Sequence, residues 1–251
     1  MPGNAQRMFI NVVHSCPNAC FFCVDFKGET FYGFDLKRGK PSTTKEIIKS
    51  VEDYPNRHLI SEVYICGIGE PLLRYDTVVL VAEQLRSLFS PQTVIAVNTS
   101  GTFYLRFPRV DFATRFDLIQ VSLNAENEEK YNLICRPKVM GAYQALMQFL
   151  HHLKQFLSES KHPCRVELTV VDTSDRQHLP EAEQLLPEIL SPDIDACRRI
   201  ADSFGWPLKV KTLIKDCERP EWSTFAESFQ TEKLAAAYNK RLKDAPSFGR
   251  R

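Results

Sequence analysis

Three cysteines stand close together near the amino end, Cys16, Cys20 and Cys23, in the run Cys16-Pro-Asn-Ala-Cys20-Phe-Phe-Cys23. The spacing is C-x3-C-x2-C. Thiolates are soft ligands suited to iron–sulfur clusters and to zinc. A loop of this length wraps three thiolates around one corner of a cubane and leaves the fourth iron without a protein ligand. An open metal position is where chemistry occurs, whereas a structural site is normally closed. The two phenylalanines beside Cys23 fit a cluster shielded from water. Zinc is the alternative, with His14 two residues before Cys16 completing a Cys3His set. A disulfide would leave one thiol over.

The chain carries eight cysteines in 251 residues, and the other five (Cys66, Cys135, Cys164, Cys197, Cys217) are scattered singly. In a reducing setting a tight cysteine cluster reads as metal-binding or catalytic before it reads as a disulfide framework.

Other polar groups fall where strands end. Gly67-Ile-Gly69-Glu70-Pro71 follows an apolar strand at once, and glycine lets a backbone approach a ligand closely. Asn98-Thr-Ser-Gly101 ends the next strand, and Ser122-Leu-Asn124-Ala the one after. Each of these, taken alone, also reads as a turn or helix cap. Glu167 and Thr169 share one face of a later strand, as do Lys209 and Lys211 of the last. Asp172 closes the fifth strand. Arg136 is a candidate clamp for a phosphate or carboxylate, or a surface ion-pair partner. Cys135 is a candidate for hydrogen-atom donation, or a small buried hydrophobe. His151 and His152 lie on an apolar helix and read as structural.

The elements that must position these residues alternate. Strands are expected over 8–14, 62–66, 93–101, 117–125, 164–172 and 207–214. Helices are expected over 43–54, behind a Thr43 cap, and over 75–89, with Asp76 as cap. A further crossover is broken at Arg136-Pro137, and another helix runs over 192–204 to Gly205. Six strand-then-helix units predict an α/β fold with parallel strands, a partial (β/α)6 TIM-like barrel, with a flat doubly wound sheet as second choice. In both, ligands sit at the C-terminal ends of the strands. The expected organisation is a core domain over 1–218 and a C-terminal extension over 219–251, partly helical, with a candidate helix over 233–242.

Composition narrows the class. Hydrophobic residues are 43% and charged residues 25%, and the formal net charge is +1. That balance gives no global pull toward nucleic acid or membrane. No apolar run approaches the roughly 20 residues that cross a bilayer, and the first residues lack a signal-peptide pattern. The expectation is a cytoplasmic protein.

C-x3-C-x-φ-C, with Phe22 as the aromatic, resembles the signature of the radical S-adenosylmethionine (SAM) superfamily. The runs HSCPNACFFCVD, ICGIGEPLLR, VNTSG, VSLNAENEEKYNLICRP and VELTVVD are similar to one branch of it, the TatD-associated radical SAM proteins, across roughly residues 8–214. The resemblance implies a [4Fe–4S] cluster on Cys16, Cys20 and Cys23, whose fourth iron chelates SAM. It implies reductive cleavage of SAM to methionine and a 5′-deoxyadenosyl radical. Phe22 would pack near the adenine. Gly67, Gly69 and Glu70 stand where the family has a GGEP motif that binds the methionine amino group, with Ile68 replacing one glycine. Ser122 and Asn124, and also Asn98, would contact the SAM ribose or carboxylate. Cys135 and Arg136 are the candidate catalytic residues. An external electron donor such as flavodoxin or ferredoxin is implied, and one cluster only. The substrate stays open. The alternatives are a zinc-binding module without catalysis and an activating enzyme that places a glycyl radical on a protein partner.

Overall fold

The computed structural model describes residues 6–20, 22–23, 30–31, 34–35, 40–174 and 191–212. The extension expected over 219–251, its helix over 233–242, and Cys217 lie outside these residues.

Six strands form one sheet: β1 (Gln6–Asn11), β4 (Ile60–Cys66), β5 (Val94–Thr99), β6 (Leu118–Ser122), β7 (Arg165–Asp172) and β8 (Leu208–Thr212). A two-residue hairpin, β2 (Thr30–Phe31) and β3 (Phe34–Asp35), sits apart in sequence between β1 and β4. The sheet order is β1-β4-β5-β6-β7-β8, and every neighbour pair is parallel. Each new strand is therefore added on the same side of the last. A doubly wound sheet reverses direction at a switch point. This sheet never does, and its α/β architecture is a curled half-barrel of parallel strands.

Residue alternation defines its two faces. Val63, Ile65, Ile95, Val97, Ile119, Val121, Val166, Leu168 and Val170 belong to the main core shared with the helices. The residues between them face the concave side, where Tyr64, Ala96 and Leu118 form a small separate cluster. Each large aliphatic side chain buried on the helix side contributes roughly 1.5–3 kcal/mol.

Helix α1 (Thr44–Glu52) begins at a capping box, in which Thr43 and Glu46 satisfy each other's backbone N–H groups. Helix α2 (Tyr75–Leu88) differs from expectation. Its N-cap is Arg74, without a side-chain cap, and Asp76 lies inside the first turn. There its charge faces the positive end of the helix dipole. Helices α3 (Glu128–Cys135) and α4 (Ala142–Ser160) are separate because Arg136 takes a left-handed conformation, φ 47°, just before Pro137. Helix α5 (Ile194–Phe204) is capped by Asp193 and ends at Gly205.

The third crossover departs from the six-unit pattern. Between β5 and β6 the chain makes only two short 3-10 turns, Thr102–Leu105 and Asp111–Arg115. Aromatic packing replaces a helix there. Phe103 and Phe112 meet edge-on at 5.9 Å, and Phe149 of α4 lies 5.2 Å from Phe103. Such pairs add about 0.5–1.5 kcal/mol each beyond area burial.

Candidate functional site

The cysteine loop leaves β1 at the C-terminal edge of the sheet. β1 is shorter than the expected 8–14, because the Asn11 side chain ends it. Its Oδ1 accepts from the Val13 and Ile68 N–H groups, at 3.3 and 3.2 Å. That one amide ties the start of the cysteine loop to the turn after β4.

The loop is fastened on two sides. On one, the Glu70 N–H donates to the Ser15 carbonyl at 2.9 Å. On the other, the end of α3 grips it. The Ala19 N–H donates to the Cys135 carbonyl at 3.0 Å, the Lys138 N–H to the Pro17 carbonyl at 2.7 Å, and Lys138 Nζ to the Cys16 carbonyl at 3.2 Å. Asn18 Nδ2 donates to the Tyr131 hydroxyl at 2.9 Å. The carbonyls of Ser15, Cys16 and Pro17 are thereby committed to the protein.

All three thiols are half-buried. Burial, with the Glu70, Cys20 and Cys23 charges adding to it, pushes Cys16 up to about 12, against a hydrogen bond from the Asn18 N–H. Cys20 is also pushed up, first by its hydrogen bond with Cys135 and then by burial. Binding a metal group must displace these protons.

Three soft thiolates suit an iron–sulfur cluster or zinc. His14, the candidate fourth zinc ligand, pairs through Nδ1 with the Asn11 side chain at 3.4 Å.

Gly67 and Gly69 sit in the turn after β4, Gly67 against Val13 and Gly69 against the Ser15 backbone. A Cβ at Gly69 would lie 2.2 Å from the Ser15 carbonyl oxygen, and one at Gly67 would lie 2.6 Å from Val13 Cγ1. The Glu70 carboxylate is fully buried and points into the protein. It accepts from the Leu72 N–H (3.0 Å), the Thr99 hydroxyl (2.7 Å), the Ser100 N–H (2.6 Å) and the Ser100 hydroxyl (2.5 Å). Glu70 thus locks the β4 turn to the end of β5, and its charge is satisfied there.

The concave face presents the remaining candidates in rows. Asn98 pairs in register with Gln120, and Gln120 with Glu167. Gln120 Nε2 donates to Glu167 Oε2 at 2.8 Å. Asn98 Oδ1 is buried without a hydrogen-bond partner, an acceptor that a bound ligand would satisfy. One row nearer the mouth, Ser122 pairs with Thr169 and Thr169 with Lys209. Asn124 follows with a left-handed φ of 59°, its N–H reaching the Thr169 carbonyl at 3.3 Å. Phe22 and Cys20 pack against the core edge.

Cys135 is fully buried, with its sulfur beside Cys20 and 3.7 Å from Asn124 Nδ2. Arg136 is half-buried near Cys20, and burial lowers its affinity for a proton. Asp172 faces the helix side and caps a turn through the Ser174 N–H at 2.9 Å. His152 bonds the Tyr104 hydroxyl and the His151 ring lies 4.9 Å from Phe204, both structural positions.

Sequence reasoning missed Asn11, Asn18, Tyr131 and Lys138, which position the loop. Tyr131 and Cys135 lie four apart on one face of α3, and that spacing was the available signal.

Six parallel strands in barrel order carry a cysteine triplet at their C-terminal edge, beside a glycine-rich turn. The chain matches the Radical SAM superfamily over residues 10–186 and belongs to it. Members of that superfamily are enzymes that use a [4Fe–4S] cluster and SAM. Two curated relatives match in part. A probable dual-specificity RNA methyltransferase RlmN from Syntrophomonas wolfei is 34% identical over 92 residues, 34% of this chain and 26% of that protein. A GTP 3′,8-cyclase from Paenarthrobacter nicotinovorans is 26% identical over 132 residues, 53% of this chain and 35% of that protein. The matched segments thus span about a third or less of those relatives. Among solved structures, anSMEcpe with bound AdoMet aligns over 94% of this chain and 63% of that one, at 11% identity and a TM-score of 0.49. Among the described residues no helix is long and apolar enough to cross a membrane.

Proposed function

We propose that the chain reductively cleaves SAM and passes the resulting radical character to a substrate bound in the half-barrel. The observation that carries this reading is the packing of the cysteine loop against the β4 turn at the sheet edge where the polar groups Asn98, Ser122 and Asn124 gather.

Cys16, Cys20 and Cys23 would hold three irons of a [4Fe–4S] cluster and leave one open to the methionine end of SAM. When bound, the cluster and SAM together supply one-electron cleavage of a carbon–sulfur bond, giving methionine and a 5′-deoxyadenosyl radical. The protein's own part is placement. Asn11, Gly67, Gly69, Glu70 and Lys138 fix the loop. The half-buried 67–69 backbone would line the methionine end, while Glu70 acts through its buried carboxylate. Asn98, with its unpaired Oδ1, and Ser122 and Asn124 would hold the ribose or carboxylate, and Phe22 would pack on the adenine. Cys135 sits behind Cys20 and supports it, and Arg136 adds a half-buried charge beside the cluster.

The resemblance of its motifs to the TatD-associated branch supports assigning the chain to that branch. An external donor of the flavodoxin or ferredoxin type would supply the electron, in a reducing cytoplasmic setting where these thiols stay free.

Anaerobic reconstitution tests the reading. The expected result is about four irons and four sulfides per chain, with an electron paramagnetic resonance signal that shifts when SAM is added. One bound zinc per chain, or a reduced cluster whose signal ignores SAM, would overturn it.

A further inference from the structure

The last strand carries a pair of like charges that the cofactor site does not use. Lys209 pairs in register with Thr169, and Lys211 with Val171. Thr169 pairs with Ser122. The three residues Ser122, Thr169 and Lys209 therefore form one row across the concave face. Two strand spacings of about 4.8 Å put Lys209 about 10 Å from Ser122. Lys211 lies one row nearer the mouth, half-buried.

Two ammonium groups two residues apart on one face repel each other. Burial, and then the Lys209 charge, lower the proton affinity of Lys211, and the Glu167 charge acts in the opposite direction. Glu167 is a diagonal neighbour of Lys209 on the same face. One of its oxygens already accepts from Gln120. One partly committed carboxylate facing two cations leaves a local positive excess. Lys209 is exposed and Lys211 half-buried, and the partial desolvation at Lys211 makes the excess attract an anion more strongly than it would in open water.

We infer that Lys209 and Lys211 form the anion subsite of the substrate pocket, and that the substrate is a small molecule bearing a phosphate or carboxylate group. The inference rests on the radical SAM reading and adds the substrate class to it. The anion docks on β8, and the rest of the molecule reaches across Thr169 and Ser122 toward the cofactor edge about 10 Å away. Lysines on an edge strand also discourage edge-to-edge pairing, but that role involves no bound anion.

The test is titration calorimetry of the cluster-loaded, SAM-bound full chain with pyrophosphate and, separately, with citrate. One anion should bind saturably at a single site. The double variant K209Q/K211Q should weaken it roughly tenfold or more, and K209R/K211R should stay within about threefold. Glu167→Gln should tighten binding, because it removes the competing negative charge. That opposite sign is not expected from general loss of structure. The tighter of the two anions identifies the group as phosphate or carboxylate. The inference is overturned if neither anion saturates, or if K209Q/K211Q binds as well as the unsubstituted protein. The SAM-dependent resonance shift of the unsubstituted protein is measured first, so a failed titration on a protein that passes it rejects the anion subsite alone.

Discussion

Gly69 faces the backbone of Ser15 so closely that a Cβ would stand 2.2 Å from the Ser15 oxygen and 2.7 Å from its carbonyl carbon. The obstacle is main chain and cannot rotate away. The turn after β4 and the cysteine loop are therefore two parts of one rigid unit. Gly69→Ala should cost about 2 kcal/mol or more and should displace the loop. The expected outcome is a lower melting temperature together with reduced iron content after reconstitution. Full iron loading at an unchanged melting temperature would contradict the close approach.

Glu70 is the second brace. Four donors converge on its buried carboxylate. Glu70→Ala leaves the Leu72 and Ser100 N–H groups without their acceptor, at a cost of about 3 kcal/mol. Urea unfolding of the unloaded chain checks the magnitude, and SAM binding to the loaded chain checks whether the turn still holds its shape.

The same group sets a pH dependence. Burial raises the Glu70 carboxyl above its ordinary 4.5, and the hydrogen bonds from Ser100, Thr99 and Leu72 offset part of that rise. In the window above 4.5 the folded chain binds more of this proton than the unfolded chain does. The Glu70 contribution to stability is therefore greatest below that window and falls as pH rises through the raised value. Glu70→Gln removes the titration. Urea midpoints measured across the window should show the unsubstituted protein losing stability relative to Glu70→Gln as pH increases. A difference that does not vary with pH would contradict the raised value.

Much of this architecture was legible in the sequence, for physical reasons. The runs around Val63, Ile95, Ile119 and Val166 are apolar and β-branched because those strands pack under helices. Thr43 announced a helix start and caps it. The cysteine triplet and the Gly67–Glu70 turn were visible by spacing. Their contact was not, because a glycine does not say which neighbour approaches it. The expectation that Gly67 and Gly69 open the backbone to a ligand missed their nearer role, admitting the Val13–Ser15 backbone. Asp76 misled because an acidic residue suits both the cap and the first turn of a helix. The segment between β5 and β6 reads as irregular and carries no helix, only two 3-10 turns; what the sequence did not show is its packing, because Phe149 meets Phe103 and Phe112 from a distant part of the chain.

Cys135 separates support from ligation. It is fully buried against Cys20 and Asn124. Cys135→Ala should cost about 1 kcal/mol for the lost sulfur and leave three cluster ligands in place. Iron content should stay near that of the unsubstituted chain, whereas Cys20→Ala should lose the brown chromophore. Equal loss in both variants would make Cys135 a ligand.

The most direct measurement is chemical. The reconstituted, reduced protein is incubated with SAM without oxygen, and the mixture is assayed for 5′-deoxyadenosine and methionine. Both are expected to form in equal amounts, and neither in Cys20→Ala. A fully loaded, reduced protein that returns SAM intact would contradict the proposed cleavage.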